Sequence, residues 1–122
     1  MNNTTLLLRQ IHPNFVQGGR LSSQAFRPTP KDEKKLSVYD GDQISPIDAW
    51  EHYTSELKCQ SCGIMAVSMA ECNVLHLPVI SDPIPFQEHA LIDFSAYSNR
   101  ETEKKAKLLR TKAEARNWLY CV

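Results

Sequence analysis

The chain lacks the short motifs that announce many enzyme classes. It contains no G-x-x-x-x-G-K-[ST] phosphate loop, no G-x-G-x-x-G turn, no H-E-x-x-H pair and no G-x-S-x-G elbow. It also lacks a long apolar run near its start. Met1–Gln10 holds three consecutive leucines with no basic residue ahead of them. A membrane span needs about 20 apolar residues, and a secretory leader opens on positive charge. The cytoplasm is therefore the expected compartment, with no membrane partner. Cysteine is scarce: Cys59, Cys62, Cys72 and Cys121 are few for a disulfide scaffold and are expected to be reduced or metal-bound. Net charge is absent as well, with 14 Lys and Arg against 14 Asp and Glu.

What is present fits one domain of 122 residues. A chain of this length buries roughly two-thirds of its unfolded surface, enough for a core without staples. The 42% hydrophobic and 23% charged content is that of a globular protein. The charges are sorted along the chain. Residues 1–35 hold six cations and two anions, residues 36–99 one and nine, and residues 100–122 seven and three. Either the basic ends fold back on the acidic middle, or one basic surface meets an anionic partner.

Thr4–Ile11 reads as a strand, stopped by His12-Pro13, because the residue before proline avoids helical backbone. Gly18-Gly19 supplies a turn that tolerates positive φ. Leu21–Phe26 reads as a second extended segment, and Leu36–Tyr39 as a strand ended by the Asp40-Gly41 turn. Ser45-Pro46 opens a helix, with serine as N-cap and proline at N1. Its expected inner face is Ile47, Trp50, Tyr53, Thr54 and Leu57. Gly63–Met69 reads as a buried strand, Asn73–Leu77 as another, Ser81–Phe86 as an extended surface loop and Ala90–Phe94 as a strand. Ser98-x-x-Glu101 is a capping box opening a basic helix that Asn117 ends, with Ala106, Leu109 and Ala113 inward. Trp118–Val122 reads as a last strand. The expectation is an α+β domain with one mixed sheet of five or six short strands and two helices, at 45–57 and 99–116.

Three constellations could carry chemistry. The first is Cys59-x2-Cys62-x9-Cys72-x3-His76. Zinc takes such ligands, but the interval between the pairs holds an apolar strand. Cys62 and Cys72 as small buried residues is the preferred reading, with no structural zinc expected. The CxxC pair follows a helix end, where no dipole lowers a thiol pKa, so redox chemistry is not expected. Cysteine nucleophilic catalysis would need a histidine nearby, and His52, His76 and His89 each qualify.

The second constellation is the Gly18–Gly41 segment together with the first strand: Arg9, His12, Arg20, Ser22, Ser23, Gln24 and Arg27. Guanidinium groups, an imidazole and hydroxyls suit a phosphate or a carboxylate. The expected function is a small cytosolic binding module whose loop grips an anionic ligand or protein partner. Phe26, alone among polar neighbours, is expected to pin the loop to the core. The third constellation is the basic helix, with seven cations between Arg100 and Arg116 interrupted by three glutamates. Without interleaved aromatics it reads as a structural face, and nucleic acid is not an expected partner.

An Arg or His on a first strand, followed by serine on a second segment ending in an aromatic, resembles the opening of the ADP-ribosyltransferase and related NAD-cleaving folds. The resemblance implies that Arg9 or His12, with Ser22 or Ser23, would line an NAD pocket. The family's later acidic residue would fall at Glu88, whose register is not the family's. His12, Ser23 and Glu88 are then the candidate catalytic residues of an alternative NAD-cleaving enzyme or toxin.

Overall fold

The computed structural model describes residues 1–29 and 33–122, so Pro30, Lys31 and Asp32 of the Gly18–Gly41 segment lie outside the description. Six strands form the main sheet: β1 (Leu6–Gln10), β4 (Lys35–Asp40), β5 (Gly63–Ser68), β6 (Val79–Ser81), β7 (His89–Asp93) and β8 (Tyr120–Cys121). Their order is β6-β7-β4-β1-β5-β8. Every neighbouring pair in this sheet is antiparallel. A mixed sheet was the expectation; adjacent strands run antiparallel because the helical connections skip strands. β4 and β5, joined through a helix, run in the same direction with β1 between them.

The sheet carries helices on both faces. On one side lies α3 (Asn99–Arg116), whose Ala106, Leu109 and Ala113 pack on Leu7, Val38, Met65, Val67 and Ile92. The 3-4-residue spacing of that stripe is what the sequence shows, and the capping box forms. The Ser98 amide donates to Glu101 Oε1 and the Glu101 amide to Ser98 Oγ, both at 3.2 Å. Asn117 ends the helix at φ 74°. On the other side lies α1 (Pro46–Glu51), packed through Ala49 on Leu8, Tyr39, Ile64 and Ala66. β5 alternates between these two cores and is buried at all six positions, the reason for its unbroken apolar sequence.

Four local expectations are corrected. The helix from Ser45 passes into a π-helical turn at His52–Glu56. Trp50 and Tyr53 of the expected inner face pack on the core of that side, but Ile47 and Leu57 stand 46% and 41% exposed and Ala49 is buried. Asn73–Leu77 is not a strand. Ser68 and Glu71 form a second capping box and start α2 (Met69–Val74), which ends at His76 with φ 56°. Leu21–Phe26 is extended only at its start. A short hairpin, β2 (Val16–Gln17) and β3 (Arg20–Leu21), turns at Gly18 and Gly19, both with positive φ. Ser22 then caps a 3-10 turn, Ser23–Phe26, by accepting from the Gln24 amide at 3.2 Å. The Ser81–Phe86 loop gives its first residue to β6. No helix among the described residues is long and apolar enough to cross a membrane.

Candidate functional site

The Gly18-Gly19 turn and the buried Phe26 fix the first part of the predicted Gly18–Gly41 loop. Leu21, Ala25 and Phe26 are buried in the α3-side core. The intervening polar residues are thereby held against α3. On that helix Lys107, Arg110 and Glu114 each follow a member of the buried stripe by one residue, so they share the flank beside the loop. Between the two lies a shallow groove of about 350 Å³ lined by Gln17, Arg20, Ser22, Ser23, Lys107 and Arg110. Arg20 Nη2 and Arg110 Nε both stand 3.6 Å from the same Glu114 oxygen, Oε1. Arg110 Nη1 also donates to the Leu21 carbonyl at 3.3 Å. The Arg20 side chain is 75% exposed. Three cations thus line the groove, and the one carboxylate that meets two of them, Glu114, lies outside its lining.

The rest of the predicted constellation sits elsewhere. Arg9 Nε donates to the Ala25 carbonyl at 2.7 Å, and Nη1 to the Ser37 carbonyl at 3.0 Å. It does so where β1 has stopped pairing with β4: their ladder holds only Leu7 with Asp40 and Leu8 with Tyr39. Arg9, His12 and Gln24 line a hollow of about 420 Å³ together with Phe15 and Tyr53. His12 is engaged at both nitrogens. Its Nδ1 accepts from the Asn14 amide at 3.0 Å, so the neutral ring carries its proton on Nε2, which faces Gln60 Oε1 at 3.1 Å. Arg27 stands 3.5 Å from Glu103, in a further hollow beside Pro28 and Thr29. Glu88 accepts from the Asp40 amide through its main-chain oxygen. His12 and Ser23 therefore line different hollows, and no contact among the described residues joins either to Glu88.

The cysteine pattern is not assembled either. Among the described residues no three His, Cys, Asp or Glu side chains are grouped to hold a metal ion. Cys72 points from α2 into the α3-side core, where burial pushes its thiol up to about 12. Burial also raises the half-buried Cys62, while Cys59 and Cys121 are exposed. The basic helix spends part of its charge internally. Lys105 Nζ donates to the Leu75 carbonyl at 2.6 Å and lies 4.2 Å from the Tyr97 ring centre. Arg116 grips both Glu71 oxygens, at 2.9 and 3.2 Å, and donates to the Ala66 carbonyl. Burial pushes the Glu71 carboxyl up, but the hydrogen bonds and charge of Arg116 and the Ser68 amide outweigh it, leaving its pKa lowered.

One cleft brings together residues that the sequence reading had placed apart, Arg9 and His89 among them. It encloses about 330 Å³ on the α1 side and is lined by Ser37, Tyr39, Tyr53, Phe86 and His89. Phe86 stacks on Tyr39 at 4.9 Å and meets the edges of His52 and His89 at 4.6 and 5.1 Å. The Tyr39 hydroxyl lies 2.7 Å from His52 Nδ1, and burial pushes that phenol above its usual range, with Tyr53 and Glu88 adding to the shift. The hints in the sequence were His52 and His89, named there only as partners for a cysteine, and Ser37 and Tyr39 sharing one side of an alternating strand. No family model matches the chain, and no match was found among curated proteins or solved structures.

Proposed function

We propose that the chain is a small binding module whose groove between Arg20–Ser23 and α3 receives an anionic group, a phosphate or carboxylate, carried by a small molecule or a protein partner. One observation supports this reading above the rest: Arg20 and Arg110 converge on a single Glu114 oxygen, with Lys107 in the same groove. One carboxylate offsets one of three positive charges. A second anion relieves the remaining repulsion, and guanidinium groups present paired donors to it. The Ser22 and Ser23 hydroxyls add donors without added charge. Exposed ion pairs contribute about 0.2–1 kcal/mol each, so three of them give a lone anionic group at most about 3 kcal/mol, a Kd of roughly 6 mM or weaker. The partner must gain further affinity from contacts along the loop.

The test is equilibrium titration of the protein with inorganic pyrophosphate and, separately, with a hexaglutamate peptide at low salt. Binding to at least one probe is expected, weakening as salt rises and lost in the Arg20→Ala/Lys107→Ala double variant. Pyrophosphate alone would mark a phosphate ligand, and the peptide alone an acidic protein partner. Absence of binding to both, or binding that the double variant leaves unchanged, contradicts the proposal.

A further inference from the structure

The α1-side cleft shares no lining residue with the Arg20 groove and carries chemistry of its own. Its polar centre joins β4, β7 and the loop after β6. His89 opens β7, and Asp82 follows β6. The Asp82 amide donates to the His89 carbonyl at 2.9 Å, locking the two segments together. His89 Nδ1 lies 3.0 Å from the Asp82 main-chain oxygen and 3.3 Å from its carboxylate Oδ2. A carbonyl oxygen only accepts, so Nδ1 carries the proton of the neutral ring. The other nitrogen, Nε2, then presents its lone pair, and 3.1 Å away stands Ser37 Oγ. The imidazole is held by the edge of Phe86, and its side chain is 10% exposed. Ser37, by contrast, is exposed on the cleft wall. A hydroxyl open to solvent, a base with its lone pair directed at it, and a carboxylate behind the base make up the arrangement that activates a serine, whatever fold carries it.

We propose that Ser37 is a nucleophile, with His89 as its general base and Asp82 as the group that orients His89 and stabilises its charged form. The substrate class is an ester whose acyl group is apolar or aromatic, because Phe86, Tyr53, Leu57 and Pro85 form the wall beside Ser37. Ser37 Oγ bonds to the carbonyl carbon while its proton passes to His89 Nε2, and the carbonyl π pair moves to oxygen. Collapse of this intermediate breaks the bond to the alcohol, which leaves with the proton from Nε2. Water then attacks the acyl-serine by the same route, giving the carboxylic acid and restoring the hydroxyl. The sum is ester plus water to acid plus alcohol, with no redox change. Arg9, by donating to the Ser37 carbonyl, fixes the strand that presents the nucleophile.

The test is labelling with an alkyl fluorophosphonate, followed by intact-mass and peptide mass spectrometry, alongside hydrolysis of p-nitrophenyl butyrate. In the labelling step Ser37 Oγ bonds to phosphorus, fluoride leaves and the proton goes to His89. One adduct per chain on Ser37 is expected, with ester hydrolysis abolished by the label and by Ser37→Ala. His89→Gln should slow labelling about 100-fold or more, and Asp82→Asn about tenfold. Because His89 is packed on Phe86, each variant is checked by circular dichroism. If His89→Gln unfolds, the half-exposed Asp82→Asn decides. No adduct at millimolar probe, an adduct that survives Ser37→Ala, or an unchanged labelling rate in a folded His89→Gln or Asp82→Asn protein would overturn the proposal.

Discussion

Replacing Phe26 by alanine tests whether the groove depends on an anchored loop. The ring is wholly buried and belongs to the core that α3 shares with β1, β4 and β5. A buried phenylalanine hides roughly 150–250 Å², of which truncation to alanine loses about 100 Å². At about 25 cal/mol per Å² this transfer term is roughly 2.5 kcal/mol. The cavity left between the 3-10 turn and α3 adds to it, and the observed range for such truncations is about 3–5 kcal/mol. Against a domain stability of about 5–15 kcal/mol, the variant should remain folded but lose a large part of its margin. Urea denaturation followed by tryptophan fluorescence and far-ultraviolet circular dichroism measures it. The expected result is a lower midpoint with an unchanged slope. A loss below about 1 kcal/mol at unchanged slope would show that the ring is not the anchor, and the argument for a preformed groove would fall with it.

Further outcomes follow from the same contacts. Arg20→Ala and Arg27→Ala each remove a surface ion pair and should change stability by no more than about 0.5 kcal/mol, readable in the same urea series. Glu71→Gln breaks the two-pronged contact with Arg116 and should cost about 1.5–3 kcal/mol at neutral pH. The Glu71 pKa is lowered in the folded chain from the usual 4.5, so this contribution is fully present above that value and is lost as pH falls through the folded pKa. Wild type and variant should therefore converge in stability in acid; a constant gap down to pH 2 would refute the assignment. Thiol titration with a disulfide reagent should modify exposed Cys59 and Cys121 first, and buried Cys72, its thiol raised to about 12, only on unfolding.

The elements that were legible in the sequence are those whose local and tertiary signals agree. α3 carries a capping box and a buried stripe, and both are found in place; Asn117 ends it with positive φ but with ψ 176°, not in the left-handed helical conformation expected. β5 is covered on both faces and reads as one apolar run. α2 was misread because a short apolar run does not distinguish strand from helix. The deciding signal was Ser68-x-x-Glu71, the same box that was recognised at Ser98. Of the inner face read for the helix from Ser45, Trp50 and Tyr53 meet the core, while Leu57 lies beyond a π-helical turn that periodicity does not reveal. Of the candidate site, Arg20, Ser22 and Ser23 come together as a loop sequence suggests, because the hairpin and 3-10 turn are local. Their meeting with Lys107 and Arg110 joins two stretches that were read separately. The Ser37–His89 contact spans 52 residues and depends on the register of β4 against β7, which no local pattern encodes.

The most direct test of the anion groove is to map where an anion lands on the wild-type chain. Two-dimensional amide spectra recorded during titration with inorganic pyrophosphate and with hexaglutamate report every described segment at once. The account predicts saturable shifts confined to Arg20–Gln24 and to the Lys107–Glu114 flank of α3, with one common dissociation constant. Shifts centred on Arg100, Lys104 and Lys112 instead, or none with either probe, would contradict it.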